Sequence, residues 1–191
     1  MENPAYPVEY IQAVNLHDGT AVTLRPIRPD DAPRLQEAFT HLSAETVYMR
    51  LLGPLTALID EQARQLATVD YQTRMALVGV VQEQGDERVV ALAHYGVIDP
   101  EAVDGPDAGA AEVGIVVRDD YQNRGLGTLI IRHLVRYACA HGVRIMLATV
   151  HLQNERILSF IAKSGVPYEK KLLGGEAWEI RADLAGLQLP P

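Results

Sequence analysis

The segment that most restricts the fold is residues 111–138, "AEVGIVVRDDYQNRGLGTLIIRHLVRYA". An apolar run of β-forming residues leads through a short polar loop and two closely spaced glycines, Gly125 and Gly127, into a long amphipathic stretch. This pattern predicts a strand, a loop and a helix. The first amides of a helix have no acceptor within it, and the helix dipole adds partial positive charge there. The joint therefore predicts an anion site, with phosphate or pyrophosphate as the natural ligand.

Two common phosphate-binding motifs do not fit this loop. A P-loop has lysine directly after its last glycine, whereas Gly127 is followed by Thr128 and Leu129. A dinucleotide fingerprint requires a third glycine where Ile130 stands, and it usually opens the first strand–helix unit of a domain. The pattern that fits is Gln/Arg-x-x-Gly-x-Gly/Ala over residues 122–127, directly after the strand "VGIVV".

The first half of the chain predicts a hairpin followed by three helices. Two β-prone runs flank the turn "HDGT", whose Asp-Gly dipeptide is typical of tight hairpins. The first helix is predicted to be capped by Asp30 or Asp31, the second to open at Ser43, and the third to be capped by Asp60. Strand, turn and strand are then predicted over "RMALVGVVQEQGDERVVALAHYGVID".

The second half adds a crossover to this hairpin-rich start. After the helix of the opening segment we predict a strand at "VRIMLATV", a helix over residues 154–163 and two strand-like pieces around "LLGGEAW". Because hairpin-joined strands precede a strand–helix–strand crossover, the fold class is α/β (α+β) with a mixed sheet.

Composition narrows the class of protein. A chain of 191 residues with 48% hydrophobic residues fits one globular domain. No apolar run approaches the roughly 20 residues of a membrane span, and the N-terminus lacks a signal-peptide pattern, so we expect no membrane partner and a cytoplasmic location. A net charge of -8 argues against non-specific nucleic-acid binding.

Metal and thiol chemistry find no support in the sequence. The single cysteine, Cys139, rules out an internal disulfide and is interpreted as a packing residue. The histidines show neither HxxxH nor HExxH spacing, so we propose no metal. For His94, His133, His141 and His151 we expect surface or helix-packing roles.

With these motifs in place, the chain resembles the GNAT superfamily of acyl-CoA-dependent N-acyltransferases over roughly residues 20–183. The segment "TLRPIRPDDAPRLQEAFTHLSAETVYMRLLG" also resembles the start of the bacterial protein-lysine acetyltransferases that modify acyl-CoA synthetases. The resemblance implies a mostly antiparallel central sheet, splayed at the acyl-CoA site, with helices on both faces. It divides the chain into an N-terminal extension and hairpin strand (1–19), an acyltransferase domain (20–185) and a tail (186–191).

The resemblance also implies where acetyl-CoA, the co-substrate, binds. The pantetheine arm would pair with the strand backbone, the pyrophosphate would lie over the loop amides, and Asn154 would contact the coenzyme. Arg124 would add a charged contact at the loop or simply be solvated. The implied residues are Ile115, Val116, Val117, Gln122, Asn123, Arg124, Gly125, Leu126, Gly127, Thr128 and Asn154.

Glu112 is the candidate catalytic residue. It is predicted to share a strand face with Gly114 and Val116, and a carboxylate within an apolar strand is costly unless it is paired or used. An acceptor amine must lose a proton before it attacks, and partial burial would raise the pKa of a glutamate toward that task. A glutamate in the corresponding "AE" position acts as general base in related acetyltransferases. An exposed glutamate at a strand end, with no catalytic role, is the simpler interpretation.

The segment "NERILSFIAKSGV" matches a second family signature but departs from it at two positions. Many members have a general-acid tyrosine where this chain has Ile161, and a phenylalanine where it has Val166. The identity of any general acid therefore stays open. The lysine acetyltransferases named above also look apolar at the first position.

The preferred function is acetyl transfer from acetyl-CoA to a protein lysine, by direct attack in a ternary complex. A small amine such as a polyamine or amino sugar is an alternative acceptor, because Asp60, Glu61 and Asp70 near the groove would attract any cation. A non-catalytic acyl-CoA sensor is the alternative from another class. The acceptor, the acyl preference and the oligomeric state are left open.

Overall fold

The computed structural model describes residues 5–99 and 109–187. Most of the predicted tail, and the first residues of the predicted extension, lie outside these ranges. The described residues form eight strands in one sheet and five α-helices. Their bounds are β1 Gln12–Asn15, β2 Ala21–Pro26, α1 Ala32–Phe39, α2 Ala44–Leu51, α3 Asp60–Ala67, β3 Arg74–Glu83, β4 Asp86–Val97, β5 Ala111–Val117, α4 Leu126–Ala140, β6 Ile145–His151, α5 Glu155–Lys163, β7 Tyr168–Leu173 and β8 Ala177–Asp183.

The sheet is mostly antiparallel, as expected. Its order is β1-β2-β3-β4-β5-β6-β8-β7, and β5 and β6 form the parallel pair. Helix α4 connects these two strands, as a parallel pair requires a crossover. The structure therefore confirms the mixed sheet predicted from the order of elements.

The splay expected in the middle of the sheet lies between β5 and β6. Their pairing within the described residues consists of two register pairs, Ala111 with Met146 and Glu112 with Leu147. By contrast, β5 pairs with β4 along its whole length, from Ala111 to Val117. Beyond Glu112 the sheet opens into a fork, which we call the β5–β6 fork.

Helices cover both faces of the sheet. On one face, Ala93 and Tyr95 of β4 belong to a buried cluster with Leu134 of α4. On the other, Leu92 belongs to a second cluster with Leu35 of α1 and with α3. Alternate residues of β4 thus face opposite layers, as the two-residue period of a strand requires.

The hairpin and one of the three predicted helix caps are confirmed. Gly19 in the turn between β1 and β2 has φ 85°, a left-handed conformation that favours glycine. The first strand starts only at Gln12, because Val8–Tyr10 forms a 3-10 turn. Ser43 caps α2, its hydroxyl accepting from the amide of Thr46 at 3.2 Å.

Asp31 holds the N-cap position of α1, as predicted, but neither Asp31 nor Asp60 caps its helix with a side-chain hydrogen bond. Asp31 precedes α1 but makes no side-chain cap; its carboxylate binds Arg25 in two parallel bonds of 2.7 and 2.8 Å, and both residues are buried. Asp60 is the first residue of α3, and Ile59 holds the cap position. The Asp60 carboxylate accepts from the Gln36 side chain at 2.8 Å. In both cases the carboxylate binds a side chain of another element, Arg25 of β2 or Gln36 of α1.

No helix within residues 5–99 and 109–187 combines the length and apolar composition that crossing a membrane requires.

Candidate active site

The glycine loop adopts a conformation that only small or permissive residues accept. Asn123 and Gly125 have φ values of 60° and 89°. A Cβ at Gly125 would lie 2.7 Å from Nε2 of His17, so space as well as backbone angle requires glycine there. Helix α4 begins at the next residue, Leu126, and its first amides point out of the helix end.

Two predicted loop residues are engaged within the protein. The Gln122 amide donates to the Asp119 carbonyl at 3.2 Å, and its side-chain amide donates to the Val117 carbonyl at 3.1 Å. Arg124 pairs with Asp18 at 3.1 Å. The Arg124 side chain is partly exposed, and its contact with the coenzyme stays a prediction. Because the Gln122 amide has an internal acceptor, the backbone of residues 123–128, which we call the cradle, is the part of the loop that stays a candidate for binding an anion.

The fork leaves one edge of β5 without a strand partner among the described residues. Val116 packs toward α1 and α3, whereas Ile115 and Val117 pack toward α4, so the side chains are used by the two cores. The backbone edge facing β6 runs on past Glu112 without register pairs. An extended ligand fits along this edge, and its anionic end would meet the cradle at α4. The residues present thus fit acetyl-CoA.

Glu112 forms the last pair of β5 with β6 and so stands at the base of the fork. It lies two residues from Gly114 and so shares its strand face, as predicted, and Arg50 of α2 lies over that face. Its side chain is exposed, so the partial burial considered for it is not found. The carboxylate is open to an incoming amine.

Arg50 of α2 and His94 of β4 meet above Gly114. The Arg50 Nη2 and His94 Nε2 atoms are 2.9 Å apart. A Cβ at Gly114 would lie 1.9 Å from the same Nη2, so only glycine allows this contact. Burial, followed by the charges of Arg50 and Arg74, lowers the pKa of His94 to about 4, so its ring is neutral and accepts from the guanidinium.

A second polar cluster joins α2 to the far side of the fork. The Tyr48 hydroxyl donates to the Glu176 carboxylate at 2.8 Å, and Nε2 of His151 lies 3.3 Å from the same oxygen. These hydrogen bonds hold the pKa of Glu176 below its ordinary value, with Tyr48 the larger cause. We call Tyr48, His151 and Glu176 the mouth cluster, because they link α2 with β6 and the β7–β8 turn.

The family comparison agrees with this geometry. The model of the acetyltransferase (GNAT) domain matches residues 21–166. The chain belongs to the GNAT acetyltransferase family. It is therefore an acyl-CoA-dependent N-acyltransferase.

Relatives of this GNAT domain include other bacterial acetyltransferases. An acetyltransferase of Pseudomonas aeruginosa is 34% identical over 140 residues, which cover 73% of this chain and 72% of the relative. The acetyltransferase Pat of Mycolicibacterium smegmatis is 30% identical over 84% of this chain, which spans only 46% of that protein. The crystal structure of the GNAT domain of S. lividans PAT superimposes with a TM-score of 0.81 at 26% identity, covering 94% of this chain and 100% of that domain.

Asn154 serves this GNAT domain first as a helix cap. Its Oδ1 atom accepts from the Ile157 amide at 3.2 Å at the start of α5. The cap uses the oxygen of the side-chain amide, so the nitrogen end is the part that would meet coenzyme. The predicted contact with acetyl-CoA stays a prediction.

The remaining thiol and helix histidines have packing roles. Burial raises the pKa of Cys139, which lies near the end of α4 and packs against the core. His133 bonds the Tyr10 carbonyl at 2.9 Å, and His141 stacks on Tyr137 at 3.9 Å. His94 and His151 instead lie in strands beside the GNAT site and contact Arg50 and Glu176.

Sequence reasoning missed Arg50, Tyr48 and Glu176. Arg50 is 44 residues from His94, and Tyr48 is 128 residues from Glu176, so no local pattern connects them. The one available signal was Gly114, a glycine inside an apolar strand, which often marks a close approach of another group.

Proposed function

We propose that this chain transfers an acetyl group from acetyl-CoA to the side-chain amine of a protein lysine. The observation that carries the proposal is the position of Glu112 at the last β5–β6 pair. A carboxylate stands where the unpaired edge of β5 begins, so a donor laid along that edge would bring its thioester close to a proton acceptor.

The acceptor is proposed from resemblance. Residues 23–53 resemble the start of the bacterial protein-lysine acetyltransferases, and the chain is similar to Pat and to the GNAT domain of S. lividans PAT. An acyl-CoA synthetase is the kind of protein partner this implies. The segment also carries Tyr48 and Arg50, two groups at the fork.

The reaction is a direct transfer in a ternary complex. Glu112 accepts a proton from the acceptor ammonium, directly or through water, because the amine attacks only when neutral. The nitrogen–carbon bond forms as the carbon–sulfur bond breaks, while amides of β5 stabilise the negative charge that develops on the thioester oxygen. The nitrogen gives its second proton to water after the attack, and the departing thiolate takes a proton from water, since Ile161 supplies none. Cys139, a protonated packing thiol, carries no acyl group.

The experiment replaces Glu112 with Gln and measures release of free CoA with a lysine-peptide panel at pH 7 to 8. We expect the rate to fall by about 100-fold or more, while calorimetry gives an unchanged Kd for acetyl-CoA. Glu169→Gln, an exposed strand residue of β7, is the matched control and should behave like the wild type.

Two results would contradict parts of the proposal. An unchanged rate for Glu112→Gln against every accepted substrate would remove its role as base. Tight acetyl-CoA binding with no CoA release for any acceptor would instead favour a sensor. Mass spectrometry of acetylated proteins and metabolites would decide between a lysine and a small amine.

A further inference from the structure

A cavity of about 390 Å³ lies between the sheet and helices α1 to α3. Its walls are mainly apolar and include Ala38 and Phe39 of α1, Leu66 of α3 and Leu92 of β4. It opens to solvent, and an apolar recess of this kind on a protein surface commonly marks a binding site. The volume lies within the ~300–1,000 Å³ typical of small-molecule sites.

The cavity is continuous with the strand on which we place the donor. Ile115 and Val116 of β5 form part of its wall, and Arg50 and His94 stand beside them. Glu112, two residues before Gly114, is not among its lining residues. The cavity therefore reaches the donor strand but not the proposed base.

The charges of the wall exclude the acceptor amine. The described lining residues include three arginines and no carboxylate. Arg74 and Arg118 are held by other groups, the Gln65 carbonyl and the Glu83 and Asp120 carboxylates. Arg50 has neutral His94 as its hydrogen-bond partner, and the carboxylate whose charge acts on it, Glu112, lies outside the cavity wall. The wall itself therefore carries positive charge, which disfavours entry of an ammonium. Asp60, Glu61 and Asp70 lie outside this wall.

We propose that this cavity binds the acyl chain of the donor, so that the enzyme uses straight-chain acyl-CoAs longer than acetyl-CoA, with hexanoyl-CoA as a suitable representative. The inference rests on the proposed placement of the donor along β5. A neutral apolar chain leaving the thioester on the α2 side would pass Val116 and enter the cavity, while the amine approaches Glu112 from outside it. The bonds made and broken are those of acetyl transfer.

Calorimetry with acetyl-CoA and hexanoyl-CoA tests the proposal. Each buried methylene favours binding, so we expect hexanoyl-CoA to bind the wild-type enzyme about tenfold more tightly or better. Ala38→Leu adds volume to the wall at a helical position and should remove this advantage, while the Kd for acetyl-CoA changes less than twofold. Ala140→Leu, the same substitution at an exposed position of α4, should leave both Kd values unchanged.

The outcomes separate this inference from the proposed function. Equal or weaker binding of hexanoyl-CoA by the wild type overturns the acyl-chain site and needs no variant. Leu66→Phe narrows the cavity from α3 and serves as a second variant. If both Ala38→Leu and Leu66→Phe lose affinity for acetyl-CoA as well as for hexanoyl-CoA, the acyl-chain site is also overturned. Failure of acetyl-CoA itself to bind would instead contradict the proposed function.

Discussion

At the scale of single residues, Gly127 separates ligand binding from stability. It lies in the first turn of α4, and a Cβ there would meet Val117 and Ile115 at ordinary distances of 3.7 and 3.8 Å. Gly127→Ala should therefore leave the free energy of unfolding unchanged or raise it by up to ~1 kcal/mol, because alanine favours a helix. Affinity for acetyl-CoA should fall at least tenfold, because the methyl group would occupy space needed by the diphosphate. Denaturant unfolding and calorimetry measure the two effects.

The control for Gly127→Ala is Gly53→Ala, where an added Cβ meets no atom within 4 Å. It should change neither quantity. If Gly127→Ala bound acetyl-CoA normally, the diphosphate could not lie on the start of α4.

The buried ion pair of Arg25 and Asp31 predicts a large loss of stability. Its two side chains have exposed fractions of 2% and 0%, so removing one charge leaves the other almost fully desolvated. Asp31→Asn should lower the free energy of unfolding by about 3–5 kcal/mol. Asp30→Asn changes a neighbouring carboxylate that is 70% exposed and should cost at most ~1 kcal/mol. Similar losses in the two variants, measured by urea unfolding, would show that the pair adds little.

At the scale of elements, helix α5 combines a structural and a proposed binding role in Asn154. Asn154→Asp keeps an oxygen that caps the helix but removes the amide nitrogen, so melting should change little while acetyl-CoA affinity falls. Asn154→Ala should in addition lower stability by ~1 kcal/mol. Thermal melting with and without acetyl-CoA tests both statements. If Asn154→Asp bound acetyl-CoA normally, the role of Asn154 would be only that of a helix cap.

The elements themselves were largely predictable, because their signals are local. The Asp-Gly turn, the Ser43 cap and the glycines before α4 each act within a few residues, and the structure has all of them. The caps proposed for α1 and α3 failed because Asp31 and Asp60 bond to Arg25 and Gln36, in other elements. A local sequence pattern predicts hydrogen bonds between residues that are close in the chain. It fails where a contact with another element competes for the same side chain.

The residues of the candidate site also divide into those that the sequence predicted and those that depend on tertiary contacts. Glu112 and the glycine loop were found from one continuous segment, whereas Arg50 and the mouth cluster depend on how α2 lies over the sheet. The cavity has no sequence signal at all, since it is a space between helices and strands. The residues that line it follow the same apolar periodicity as any residues that pack in a core.

At the scale of the whole molecule, the environment of His94 links stability to pH. Its pKa is about 4 in the fold and 6.5 in the unfolded chain, so between these values the unfolded chain binds more protons. Stability should therefore fall as the pH drops from 6.5 toward 4, by on the order of 1–3 kcal/mol. His94→Gln should flatten the curve in this window, whereas His41→Gln, an exposed histidine, should not. Urea unfolding at several pH values provides the curve, and equal slopes in His94→Gln and wild type would contradict the assignment.

A second loss is expected below about pH 4. Burial opposes ionisation of Asp31, but hydrogen bonds from Arg25 and the Arg28 amide outweigh it and hold its pKa below the ordinary value. A carboxyl with a lowered pKa stabilises the fold above its unfolded pKa and stops doing so as the pH falls through its folded one. Asp31→Asn should reduce this acid limb, and other carboxyls with a lowered pKa, such as Asp70 and Asp119, should account for the part that remains.

The β5–β6 fork has a mechanical consequence. Two register pairs join a five-stranded panel, β1 to β5, to a three-stranded panel, β6 to β8, so the seam between them is the weakest line of main-chain bonding in the sheet. A donor lying in the seam would form hydrogen bonds with the strand backbone where β5 and β6 do not pair with each other. Amide hydrogen exchange in β6 and β8 should then slow when coenzyme A is added, while the central strands β3 and β4 stay as they were. Uniform slowing in both panels would mean that the coenzyme stabilises the whole fold without bridging this seam.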